Sequence, residues 1–95
     1  MLDNSYWRIP EHTFQALKRY IENRTPIGDF LYAVLTNDLM RAAVRADNQN
    51  RAKIYEICCF VHNEIPAISH GSKDKVQKWL KGGEQEIGES NTSSR

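Results

Sequence analysis

Charge of one sign is largely missing from this chain, in which 13 basic side chains meet 12 acidic ones for a formal net charge of +1. A dedicated nucleic-acid binder draws most of its affinity from neutralising phosphates and carries a basic excess to do so. That excess is not there. Cysteine is scarce too, with only Cys58 and Cys59, side by side. Neighbours on a helix point about 100° apart and cannot readily bridge, so no disulfide framework is expected and a reducing compartment suits the chain. No window approaches the apolar length that spans a bilayer. The first residues have no basic stretch followed by an apolar run, so no signal peptide is expected. The glycine-rich phosphate loop, the hydrolase elbow and the paired-carboxylate pattern are also absent, and an enzyme is not expected.

What the 95 residues do contain is helical periodicity. At this length one domain is expected, with a core only just sufficient for a fold without staples. Residues 1–8 form an arm whose Tyr6 and Trp7 should dock on the core. Pro10 suits the first turn of a helix running to residue 23, with Phe14, Leu17 and Ile21 on one stripe. Thr25 and Pro26 then resemble an N-cap and a first helical position. A second, long helix over 26–46 is expected to follow, apolar on more than one face, with Leu31, Leu35 and Leu39 along its main stripe. Gly28 in its first turn would ease chain crossing or let a ligand approach. Asp47 and Asn48 start a third helix, over 48–65, which Pro66 ends. Ser72 caps a short last helix over 72–81. The expected fold is all-α, a compact bundle of about four helices, three main ones and a short C-terminal one. The expected domain covers 1–82, followed by a disordered polar tail over 83–95. Leu31, Leu35, Leu39, Ile54, Cys58, Val61 and Phe14 should be buried together.

On a continuous second helix, Asn37, Arg41 and Arg45 would share one ridge, with Asp38 within reach of Arg41. Two arginines one turn apart suit a carboxylate or phosphate. Alternatively Asp38, with Asp47 or Glu56, neutralises them in an internal network. The candidate ligand- or partner-binding residues are therefore Asn37, Asp38, Arg41, Arg45 and Asp47. Cys58 and His62 are spaced to share a helix face, but a zinc site needs three or four ligands and no CxxC or HxxxH occurs. No metal site and no cofactor is expected. Lys73, Lys75, Lys78 and Lys81 make the last helix basic, which is the ordinary pattern of a solvated face.

The run Thr25-Pro26-x-Gly28-x-Phe30-Leu31-x-Ala33-Val34-Leu35-x-Asn37-Asp38-Leu39, with Ala42, Arg45-Ala46-Asp47 and Asn50 after it, resembles a group of small bacteriophage-encoded helical proteins. Asn63-Glu64-x-Pro66, Gly71-Ser72, Val76 and Trp79 extend the likeness, which covers about residues 9–82. The resemblance implies a virus-encoded accessory protein in the cytoplasm of an infected bacterium. By analogy of class, it implies a non-enzymatic binder, in counter-defence for example, that engages a host protein or sequesters an anionic or nucleotide small molecule. The apolar excess of the second helix points further to a homo-oligomer. The alternative is a helix-turn-helix-like nucleic-acid binder using the lysine helix, against which the near-neutral charge speaks.

Overall fold

The computed structural model describes residues 2–82. The tail expected to be disordered lies outside them. Among the described residues every regular element is helical: α1 Glu11–Asn23, α2 Asp29–Leu35, α3 Leu39–Arg45, α4 Asn48–Ala52, α5 Ile54–Glu64, a 3-10 turn Ala67–Ser69, and α6 Lys73–Leu80. The all-α expectation holds for these residues, and among them no helix is long and apolar enough to cross a membrane. Six helices stand where about four were expected, because both long central helices are broken.

The first break lies at Thr36-Asn37-Asp38. Asn37 takes a left-handed conformation with φ 64°, which asparagine tolerates better than most residues. The Asp38 N–H donates to the Ala33 carbonyl (2.8 Å) and the Asn37 N–H to the Val34 carbonyl (3.2 Å). These two bonds are the Schellman arrangement that ends a helix. Thr36 reinforces it by turning its hydroxyl back onto the Tyr32 carbonyl at 2.8 Å. Asp38 then starts α3, its carboxylate accepting from the Arg41 N–H at 3.2 Å. The second break is at Lys53, where the N–H donates to the Asn50 carbonyl (3.1 Å) and the chain turns into α5.

Other boundaries follow their local signals. Asp47 caps α4 by accepting from the Asn50 N–H (2.8 Å), and Ser72 caps α6 by accepting from the Lys75 N–H (3.2 Å). Pro66 forces Ile65 into an extended conformation and stops α5 at Glu64. Thr25 and Pro26 do not open α2. Residues 24–28 leave α1 through a left-handed Arg24 (φ 55°), and Gly28 is the N-cap of α2. A Cβ at Gly28 would meet nothing within 4 Å, so close approach is not the reason for glycine there.

The core gathers Leu17, Tyr20, Leu35, Ile57, Phe60 and Val76, all fully buried, with Ile9 of the arm and Trp79 of α6 closing its ends. Phe14, Leu31 and Val61 are buried as expected; Leu39 and Cys58 are exposed and Ile54 is half-buried. Polar groups inside this core are paired, as burial requires. The Tyr20 hydroxyl donates to the Ser69 carbonyl (2.7 Å), and the Trp79 indole N–H donates to the Tyr20 carbonyl (2.8 Å). Burial holds the Tyr20 phenol well above its ordinary pKa, so it remains a donor. The buried Thr13 hydroxyl donates to the Asn50 side-chain carbonyl, joining α1 to α4. In the arm, Trp7 packs edge-on against Phe60 and its indole N–H donates to Glu64 at 3.2 Å. Tyr6 remains in solvent.

Candidate functional site

The break at Asn37 takes that residue off the expected ridge and leaves Arg41 and Arg45 one turn apart on α3. Asn37, Arg41 and Arg45 no longer lie on one helix, and each has its own local task. Asn37 donates from Nδ2 to the Gly71 carbonyl (2.9 Å), while the Gly71 N–H donates to the Leu35 carbonyl (2.7 Å). The two bonds bolt the end of α2 to the start of α6, with Gly71 at φ 116°, a conformation suited to glycine. Asp38 caps α3 and pairs with Arg41 at 3.4 Å. Arg45 reaches Asp29 at 3.9 Å. All four of these charged side chains are well exposed, so neither pair is a buried network. Pairs of this kind contribute little to stability.

Asp47 faces another way. It accepts from the Asn50 N–H as a cap and pairs with His12 at 3.1 Å. The backbone N–H of Asn50, and then the His12 imidazole, hold its carboxyl below the usual aspartate range. Arg45 and Asp47 share a cleft of about 260 Å³ with His12, Gly28 and Asn50. Asn37 and Asp38 line a different one, of about 280 Å³, with Val34, Leu39, Ala42 and Cys58. Four of the five candidate residues therefore fall on two clefts, and the fifth, Arg41, lines neither.

A second cavity of about 280 Å³ adjoins the Asn37 cleft and is lined by Val34, Asn37, Cys58, Val61, His62 and His70. It brings together a thiol and two imidazoles. Although Cys58 is exposed, the groups packed around it desolvate its thiol, and with the neighbouring Cys59 they push its pKa up, so it stays protonated at neutral pH. Burial lowers the His70 pKa, and the neutral ring donates from Nε2 to the Ile65 carbonyl at 3.2 Å. Among the described residues no three His, Cys, Asp or Glu groups are arranged to hold a metal ion.

The apolar excess expected of the second helix comes to the surface on α3, with Leu39, expected in the core, among the residues that carry it. Of its seven residues only Ala42 is buried, and it packs that helix on the core. Leu39 is 67% exposed, Met40 77% and Val44 77%, with Ala43 exposed between them. Leu39 borders Cys58 across the cleft, so the apolar surface continues from α3 onto α5, where Tyr55 is also exposed. The signal for this was the Asn37-Asp38 pair. As the end of one helix and the cap of the next, it re-phases everything after it and turns Leu39 outward. The ion pairs of Arg41 with Asp38 and Arg45 with Asp29 edge the same helix. Comparison with family models, with curated proteins and with solved structures finds no match for this chain.

Proposed function

We propose that this protein is a non-enzymatic binding protein of the phage accessory type, which docks on a bacterial host protein through the outward face of α3. The observation that carries this reading is the row Leu39, Met40 and Val44, left in solvent on a helix that spends one side chain on the core. A small soluble domain rarely leaves a contiguous apolar patch of large side chains uncovered unless something docks there. The surroundings suit a protein partner. Apolar side chains lie at the centre, and Arg41, Arg45 and Asp38 supply a charged rim of the kind that surrounds a protein interface. A small anion fits the same surface poorly, since each arginine already has a carboxylate beside it.

The test compares wild type with Met40→Asp/Val44→Asp as bait in bacterial lysate, with melting curves on both. The expected result is one or a few host proteins held in stoichiometric amount by wild type and lost from the double variant at unchanged melting temperature. Equal retention by the two baits refutes the reading. A wild type that sediments as a dimer and becomes a monomer on Val44→Asp also refutes it, and assigns the face to a second copy of the chain.

A further inference from the structure

We propose that the cleft between the N-terminal arm, the start of α1 and α4 is a binding site for a small organic anion, a phosphate or carboxylate head on an apolar body. It shares no residue with the α3 face and stands independently of the reading above. The cleft has a volume of about 440 Å³ and is lined by Arg8, Pro10, Glu11, His12, Gln49, Ala52 and Lys53. That is the size of a small-molecule pocket.

Neither of its cations is spent on an ion pair among the described residues. Arg41, Arg45 and Lys78 each have a carboxylate within 4.0 Å, whereas among the described residues Arg8 and Lys53 have none. One acid, Glu11, shares the cleft with them. Glu11 accepts from Gln15 Nε2 one turn along α1 at 2.8 Å, and Asp47, just beyond, pairs with His12 at 3.1 Å. Two cations outside any ion pair thus line one concavity against a single carboxylate.

Arg8 is also held in place. It is a non-glycine residue at φ 56°, a conformation that persists only where the surroundings enforce it and that gathers at ligand sites. Asn4 enforces it here. The Asn4 carbonyl accepts from the Arg8 N–H (2.9 Å), while the Asn4 side chain donates to the Ile9 carbonyl and accepts from the Ile9 N–H (2.9 Å each). Ile9 is buried in the core, so the turn is anchored from below. On the other side, the Lys53 backbone forms the turn between α4 and α5, and the residue is half-buried. A planar guanidinium takes a phosphate or carboxylate head through two parallel hydrogen bonds, and an ammonium adds a point charge. Pro10 and Ala52 supply the apolar wall for the rest of the ligand.

Phenyl phosphate is the probe, titrated into isotopically labelled protein while amide resonances are followed. Saturable shifts confined to the arm, the start of α1 and α4 are expected. Arg8→Gln and Lys53→Gln should each weaken binding about tenfold, the loss of one charge-assisted hydrogen bond. Lys78→Gln, which removes a positive charge elsewhere, should leave it unchanged. Because Arg8→Gln alters a strained position, Lys53→Gln serves as the independent variant, and matching spectra establish that each is folded. Shifts that do not saturate, or an equal loss from Lys78→Gln, overturn the site. Binding of benzyl alcohol as tight as that of phenyl phosphate overturns the anionic head. Binding of inorganic phosphate as tight overturns the apolar body.

Discussion

Substitutions at Asn37 test whether residues 26–46 form one helix or two, because glycine and alanine change stability in opposite directions in the two cases. In the structure Asn37 is left-handed and its side chain bolts α2 to Gly71. Asn37→Ala loses that hydrogen bond, worth about 0.5–1.5 kcal/mol net. It also places an ordinary L-residue in a conformation that costs roughly 1–2 kcal/mol, of which asparagine bears less than most. The sum is about 1.5–3 kcal/mol. Asn37→Gly loses the same bond but meets no left-handed penalty, and it concedes only about 0.4–1 kcal/mol through the freedom glycine gains when unfolded. Glycine should therefore be the milder change by roughly 0.5–1 kcal/mol. In a domain of this size about 1 kcal/mol moves the melting temperature by roughly 4–8 °C, which calorimetry and urea titration both resolve. On a continuous helix the order reverses, since mid-helix glycine is less stable than alanine by about 0.5–1 kcal/mol. An Asn37→Ala protein as stable as wild type, or more stable than Asn37→Gly, refutes the break.

Arg41→Ala should leave the melting temperature within a few degrees of wild type, because its ion pair is exposed and Asp38 still caps α3 through the Arg41 backbone N–H; a loss of several kcal/mol would mean that the pair belongs to a buried network. His70 should make folding sensitive to mild acid. Burial lowers its pKa below the ordinary 6.5, so between the folded value and 6.5 the unfolded chain binds the extra proton. Its contribution is full above 6.5 and falls as pH drops below that value. Urea midpoints measured from pH 7.5 to 5 should decline, and His70→Gln should flatten that decline; an unchanged slope in the variant would assign the acid sensitivity to another group.

Much of the helical frame was legible wherever a single residue carries the boundary. Pro66 ends α5 through its own ring, and Ser72 and Asp47 cap through their own oxygens. Thr25-Pro26 carried the same kind of signal and was overridden: Arg24 turns left-handed and donates to the Trp79 carbonyl, and the Thr25 N–H bonds back to the Arg19 carbonyl of α1 at 3.3 Å. The break at Asn37 was concealed by apolar spacing that fits a helix on both sides of it. The spacing repeats whether or not the backbone reverses between Leu35 and Leu39. Asp38 and Asp47, singled out as site candidates, cap α3 and α4. The ridge loses Asn37 when the helix breaks there, while Arg41 and Arg45 stay one turn apart on α3. Arg8 and Lys53 could not be associated from the sequence, because only the packing of the arm and α4 against α1 brings them to one cleft.

The clasp at Arg24 also sets an order of events. Its guanidinium lies 3.8 Å from the centre of the Trp79 ring and donates to the Trp79 carbonyl, while the Trp79 indole reaches back to Tyr20. Each contact joins residues more than fifty positions apart, so the ordering entropy of a long loop precedes any gain. Short-range turns such as the one at Asn37 involve no such loop and form quickly. Docking of α6 is then a late step in folding, and its release an early step in unfolding. The one tryptophan at the C-terminal end of the fold becomes a natural reporter of that motion, since its fluorescence changes when the cation leaves its face and water reaches its ring.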